Sequence, residues 1–141
     1  MKKKILIVTA NYYKEISDGL LSSALKTIPK ISKIKIIKVP GVFEIPVTIS
    51  KNLTKFDAFL ALGCVIKGET AHFEYISGSC ANALANLNIH SKIPVLFGVV
   101  TAYNRKQAEE RSQINFDHSD NRNIGFNVAN AAKILLSSET L

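Results

Sequence analysis

Strict alternation of short β-branched runs with longer stretches of helical period predicts an α/β fold, a three-layer sandwich with a four-stranded parallel sheet between two layers of helices. Two further observations agree. The strand candidates are nearly continuous apolar runs, as expected where a parallel strand is covered on both faces. The 141 residues have room for one hydrophobic core, so residues 1–141 read as a single domain.

The first run, Lys4–Thr9, is apolar almost throughout and reads as a central strand. Ile16, Leu20, Leu21, Ala24, Leu25 and Ile28 then recur at helical spacing, and Pro29 stops that helix. Lys33–Val39 alternates lysine with Ile and Val, the pattern of an edge strand that guards itself with charge. After the Pro40-Gly41 turn a helix is expected over about Phe43–Leu53. Pro46 fits there because the first turn does not need its missing N–H. Ala58–Ile66 is the third, buried strand, and a long helix follows over about Thr70–Leu87. Phe73, Ile76, Cys80, Leu84 and Leu87 should face its core side. Pro94–Val100 is the fourth strand. Asn104 with Gln107 reads as an N-cap and its partner three residues on, opening a short helix that carries Arg111. A polar stretch, Ser112–Arg122, precedes the last helix, about Ile124–Ser138.

Composition excludes several classes of function. No apolar run approaches the roughly 20 residues that span a bilayer, and the apolar stretch after Met1-Lys2-Lys3-Lys4 stops at Asn11 without a cleavage site. A cytoplasmic protein without membrane partners is expected. Cys64 and Cys80 form no CxxC pair, and His72, His90 and His118 lack the spacing of a helical metal site, so no metal is assigned. The net charge of +7 is uneven: residues 1–55 hold eleven Lys against three acids. These lysines are isolated, without interleaved aromatics or an Arg-rich arm, so a solvated face is favoured over a nucleic-acid partner.

Ligands of parallel α/β sheets bind beyond the carboxyl ends of the strands, which directs attention to the strand-to-helix loops. The richest is Gly63-Cys-Val-Ile-Lys-Gly-Glu-Thr-Ala-His72. Its glycines have the spacing of an ATP-binding phosphate loop, but Glu69-Thr70 stands where Lys-Ser/Thr is required. A glycine before a helix start, followed by Thr70, still offers free N–H groups to an anion; it also fits a plain N-cap. His72 in the first turn sets a proton carrier beside that site, or serves structure alone. Glu44, after Phe43, either complements a helix N-terminus or meets the polar edge of a ligand. Tyr12 and Phe97, near the ends of strands one and four, stack on a flat ring or simply pack. Arg111 forks to a phosphate or pairs with Glu109 and Glu110. Two common relatives of this architecture are excluded. Thr9-Ala10-Asn11 lacks the acids of a receiver domain, and Asn11-Tyr-Tyr-Lys-Glu15 is too bulky for a flavodoxin phosphate loop.

Taken together, four ordered segments resemble the 6,7-dimethyl-8-ribityllumazine synthase family over nearly the whole chain. They are Val39-Pro-Gly-Val-Phe-Glu-Ile-Pro46, Leu62-Gly-Cys-Val-Ile-Lys-Gly-Glu-Thr-Ala-His-Phe-Glu-Tyr75, Pro94-Val-Leu-Phe-Gly-Val-Val-Thr101 and Gln107-Ala-Glu-Glu-Arg111, with Asn123-Ile-Gly125 beyond them. The resemblance implies a flavodoxin-like doubly wound fold and a cofactor-independent condensation in riboflavin biosynthesis. In that reaction 5-amino-6-(D-ribitylamino)uracil joins 3,4-dihydroxy-2-butanone 4-phosphate, with release of phosphate and water. By motif, His72 is then the proton-transfer residue, and Glu69, Thr70 and Arg111 hold the butanone phosphate. Tyr12, Val42, Phe43, Glu44, Cys64, Val65, Ile66 and Phe97 hold the ribitylaminouracil. The family's sites lie between subunits, Phe97 and Arg111 coming from the adjacent chain, so a homo-oligomer is implied.

The chain departs from the family pattern in three places. Lys67 replaces the usual Arg, Tyr12 the usual Phe or Trp, and Ile124 the lysine of Asn-Lys-Gly; Arg122 is the nearest substitute for that lysine. The connector Ser112–Arg122 also lacks the Gly/Lys-rich motif of shell-forming members, which points to a pentamer or two stacked pentamers. A non-catalytic lumazine- or flavin-binding relative and a basic nucleic-acid binder are the readings from other classes.

Overall fold

The computed structural model describes residues 2–30, 32–113 and 122–137. Four parallel strands, β1 (Lys4–Ala10), β2 (Lys33–Val39), β3 (Ala58–Ile66) and β4 (Val95–Ala102), lie in the order β2-β1-β3-β4. Among the described residues, five α-helices connect and follow them: α1 (Lys14–Thr27), α2 (Ile45–Ser50), α3 (His72–Ser91), α4 (Arg105–Glu110) and α5 (Ile124–Ser137). The α/β fold with a parallel sheet expected from the alternating pattern is therefore present, and β2 is an edge strand, as its lysines predicted.

Alternate side chains of each strand go to opposite faces. Ile5 and Ile7, with Leu60 and Leu62, meet Leu20 and Ala24 of α1 and Val128 and Ala129 of α5. Leu6 and Val8, with Phe59 and Ala61, meet Ile45 and Ile49 of α2 and Cys80 and Leu84 of α3. The two central strands are buried through most of their length, which is why their runs are apolar without a break.

The last helix is held against the first by an unusually close approach. A Cβ on Gly125 would collide with the Leu20 carbonyl oxygen, so only glycine lets α5 lie this near α1. Asn123, 1% exposed, secures the same junction. Its Oδ1 accepts from the Phe126 N–H at 3.2 Å, capping α5, while its Nδ2 donates to the Gln113 carbonyl at 2.9 Å and the Gly19 carbonyl at 3.3 Å.

Several expected boundaries move. The helix expected over Phe43–Leu53 divides into a 3₁₀ turn, Val42–Glu44, and the short α2. The helix expected from Thr70 begins at His72 and continues to Ser91, where Lys92 adopts a left-handed conformation (φ 60°) that ends it. Strand β4 runs on to Ala102 because its pairing with β3 continues to Ile66. Arg111 is the residue that closes α4, not one inside it. Most of the Ser112–Arg122 connector lies outside the described residues, as does His118. Among the described residues no helix is long and apolar enough to cross a membrane.

Candidate active site

The carboxyl ends of β1, β2 and β3 open into a cleft of about 490 Å³. Its floor is the end of β3, where Cys64, Val65 and Ile66 emerge from the sheet. One wall is the turn after β1, with Tyr12 and Tyr13; their rings meet edge-on with centroids 4.9 Å apart. Tyr13 packs down on the core and leaves the Tyr12 ring 76% exposed at the rim. A second wall is the 3₁₀ turn, carrying Val42, the exposed Phe43 and Glu44. Two glycines let that turn sit so low. A side chain on Gly63 would press on Val42 and Ala10, and one on Gly41 would meet the Glu44 carboxylate at 3.1 Å.

The third wall is the β3–α3 loop with the first turns of α3: Gly68, Thr70, His72, Phe73 and Ile76. Because α3 starts at His72, Thr70 stands just outside the helix and Ala71 takes the cap position. The Thr70 hydroxyl accepts from the His72 N–H at 3.3 Å, a local turn that orients both residues at the helix start. Thr70 and His72 both line the cleft at the start of α3, so the positive end of the helix dipole lies beside an imidazole, an arrangement suited to an anion and a proton transfer together. Cys64 is not a ready nucleophile here, since burial pushes its thiol up to about 11 and the charge of Arg105 offsets this only in part. The Tyr13 phenol is raised by burial and then by the neighbouring Tyr12 and Cys64, so it too favours its neutral form. Among the described residues no three of His, Cys, Asp and Glu gather as a metal site would require.

The family model for 6,7-dimethyl-8-ribityllumazine synthase matches residues 2–139. The chain belongs to that family. Among curated relatives, the 6,7-dimethyl-8-ribityllumazine synthase of Bartonella tribocorum is 38% identical over 143 residues, spanning 97% of this chain and 91% of that protein. The enzyme of the same name from Bartonella henselae is 38% identical over 141 residues, spanning 96% and 88% respectively. The flavodoxin-like architecture described above is the one expected of a lumazine synthase family member.

Not every residue singled out from the sequence lines the cleft. Tyr12, Val42, Phe43, Glu44, Cys64, Val65, Ile66, Thr70 and His72 do. Glu69 sits in the same loop but points to solvent and is absent from the cleft wall. Phe97, expected near the end of strand four, is the third residue of β4, level with Ala61, so it lies toward the amino end of the strand and away from the cleft. It is 38% exposed on the sheet edge. Arg111 closes α4, with Nη1 3.8 Å from Glu110, and Arg122 approaches the same carboxylate oxygen at 4.0 Å. Ile124, in the place of the family's lysine, packs against the α1–α5 core.

Tyr13, Gly41, Phe73 and Ile76 line the cleft without having been singled out as site residues. Helical period alone places Phe73 and Ile76 on the core side of α3, and in the structure both line the cleft, with Ile76 also packed against the core. The signal that finds them is adjacency, each lying within a turn of His72.

Proposed function

We propose that this chain condenses 5-amino-6-(D-ribitylamino)uracil with 3,4-dihydroxy-2-butanone 4-phosphate to form 6,7-dimethyl-8-ribityllumazine. The observation that carries the reading is one cleft with exposed aromatic rings on two walls and Thr70 and His72 at a helix N-terminus on the third. The flat uracil fits between Tyr12 and Phe43, with the backbone and side chains of Val42–Glu44 and Cys64–Ile66 meeting its edge. The phosphate fits at the Gly68–Ala71 loop, where the positive end of α3 attracts an anion.

In the reaction the 5-amino group attacks the ketone, and loss of water gives an imine. Phosphate then departs by elimination, and the ribityl-bearing nitrogen closes the ring with loss of a second water. His72 carries protons between the attacking amine and the departing oxygens. Holding two substrates together supplies much of the acceleration in such a reaction, and the proton carrier adds roughly 10²–10⁴-fold. Glu69 stays at the loop as a polar neighbour of the butanone phosphate.

The position of Phe97 and Arg111 away from this chain's cleft supports a site shared between subunits, completed by those residues from an adjacent copy. Arg122, converging with Arg111 on Glu110, is the cation we assign in place of the family's lysine. We infer a homopentamer, alone or stacked in pairs.

Mixing the purified protein with both substrates tests the whole reading. Growth of the lumazine absorbance and fluorescence, with one phosphate released per product, is the expected result. Tight lumazine binding without turnover would establish the non-catalytic alternative instead.

A further inference from the structure

The loop that carries Thr70 has little to hold it. Residues 67–71 are exposed, and a Cβ added at Gly68 would meet nothing within 4 Å. Its internal bonds are local: His72 N–H to Thr70 Oγ1 at 3.3 Å, and Glu74 N–H to the Ala71 carbonyl at 3.0 Å. The contacts that reach another element converge on the turn after β4. At the start of the loop the Lys67 N–H donates to the Ala102 carbonyl at 2.9 Å, and the Lys67 ammonium lies over the Tyr103 ring, 5.6 Å from its centroid. At the far end the Phe73 ring meets the same Tyr103 ring, with centroids 6.4 Å apart and planes inclined by 43°. One ring therefore touches both ends of the segment that presents Thr70 and His72.

That ring is itself well placed. The Tyr103 N–H donates to Gln107 Oε1 at 2.8 Å, while Asn104 Oδ1 accepts from the Gln107 N–H at 2.9 Å. The reciprocal pair fixes the backbone of Tyr103 to the first turn of α4. A side chain 69% exposed, with no share in the cores, gains its purpose from the loop that leans on it.

We infer that Tyr103 is a positioning residue for the phosphorylated substrate: its ring is the platform that holds the Lys67–Phe73 loop in the shape that binds phosphate. This rests on the proposed condensation for the identity of the substrate. Tyr103 is not among the residues that line the cleft, and Lys67 acts on the loop through its charge above the ring. Contacts of this kind at exposed sites are modest, so a roughly three- to tenfold effect is expected.

The experiment varies each substrate separately in the lumazine assay, with Tyr103→Ala, Tyr103→Phe and Lys67→Met. Tyr103→Ala should raise KM for the butanone phosphate by roughly three- to tenfold, leaving kcat and KM for the uracil within about twofold. Tyr103→Phe, which keeps the ring, should restore the wild-type value, and Lys67→Met should fall between. Unchanged KM values in Tyr103→Ala would overturn the inference. So would a uniform loss for both substrates accompanied by a lower melting temperature that Tyr103→Phe does not repair. If the wild-type protein made no lumazine, the proposed function would fail, and affinity for inorganic phosphate would decide the inference by itself. Weaker phosphate binding in Tyr103→Ala, restored in Tyr103→Phe, supports it; equal binding in all three proteins refutes it.

Discussion

The place of His72 and Thr70 at the start of α3 was legible because a helix start is written in local sequence. The partition of catalysis proposed above gives His72→Ala a defined cost. Its kcat should fall by roughly 10²-fold with turnover still measurable, because substrate juxtaposition survives the loss of the imidazole. Complete inactivity in a folded variant would show that the side chain does more than carry protons. The cysteines make a different prediction. Burial raises both thiols to about 11, whereas a thiol in the unfolded chain ionises near about 8.5. Above the lower value the unfolded chain sheds protons that the folded chain retains, so the thiols' contribution to stability is complete below it and fades as the pH rises toward the higher one. The raised Tyr13 phenol acts in the same direction. Urea midpoints should therefore decline on the alkaline side, and a Cys64→Ala/Cys80→Ala protein should show a shallower decline. Parallel curves for the two proteins would contradict the assignment.

Elements were read well where one physical cause dominates. Continuous apolar runs mark β1 and β3 because both faces are covered, and lysines mark β2 because its outer edge is bare. Boundaries were read less well where tertiary pairing extends an element, as β3 draws β4 out to Ala102. The Asn123-Ile-Gly125 segment shows the same limit. Resemblance marked it by a missing lysine, yet Asn123 caps α5 and ties it to α1, while Gly125 permits their close contact. Replacing a helical glycine with alanine ordinarily stabilises by up to about 1 kcal/mol. Here the added methyl would strike the Leu20 backbone, and overpacking typically costs about 1–3 kcal/mol. The clash should win, so Gly125→Ala is expected to lower the melting temperature; a rise would mean that α5 shifts freely.

At the scale of the molecule, the cleft is assembled from three strand ends that are far apart in sequence, and we place its remaining parts on a neighbouring subunit. That arrangement has a direct consequence. Two crippled proteins, His72→Ala and Arg111→Ala, should complement each other when dissociated, mixed and reassembled. In a one-to-one mixture about a quarter of shared sites would carry both native residues. Recovered activity well above the mean of the parents is the expected outcome, and no recovery in verified mixed oligomers would place both residues in one chain. Light scattering should meanwhile report a pentamer or its dimer; a megadalton shell would disprove the assembly inferred from the connector.

The sequence by itself determined the alternation of elements, the parallel sheet, the edge position of β2 and the helix start beside Thr70 and His72. All of these follow from short-range patterning of apolar, charged and capping residues. Tertiary structure alone decided which aromatic rings face the cleft, why Phe97 and Ile124 do not, and that Tyr103 lies against both ends of the Lys67–Phe73 loop. Those outcomes depend on register and on the approach of segments distant along the chain, and a pairing distance is not written in the residues on either side of it.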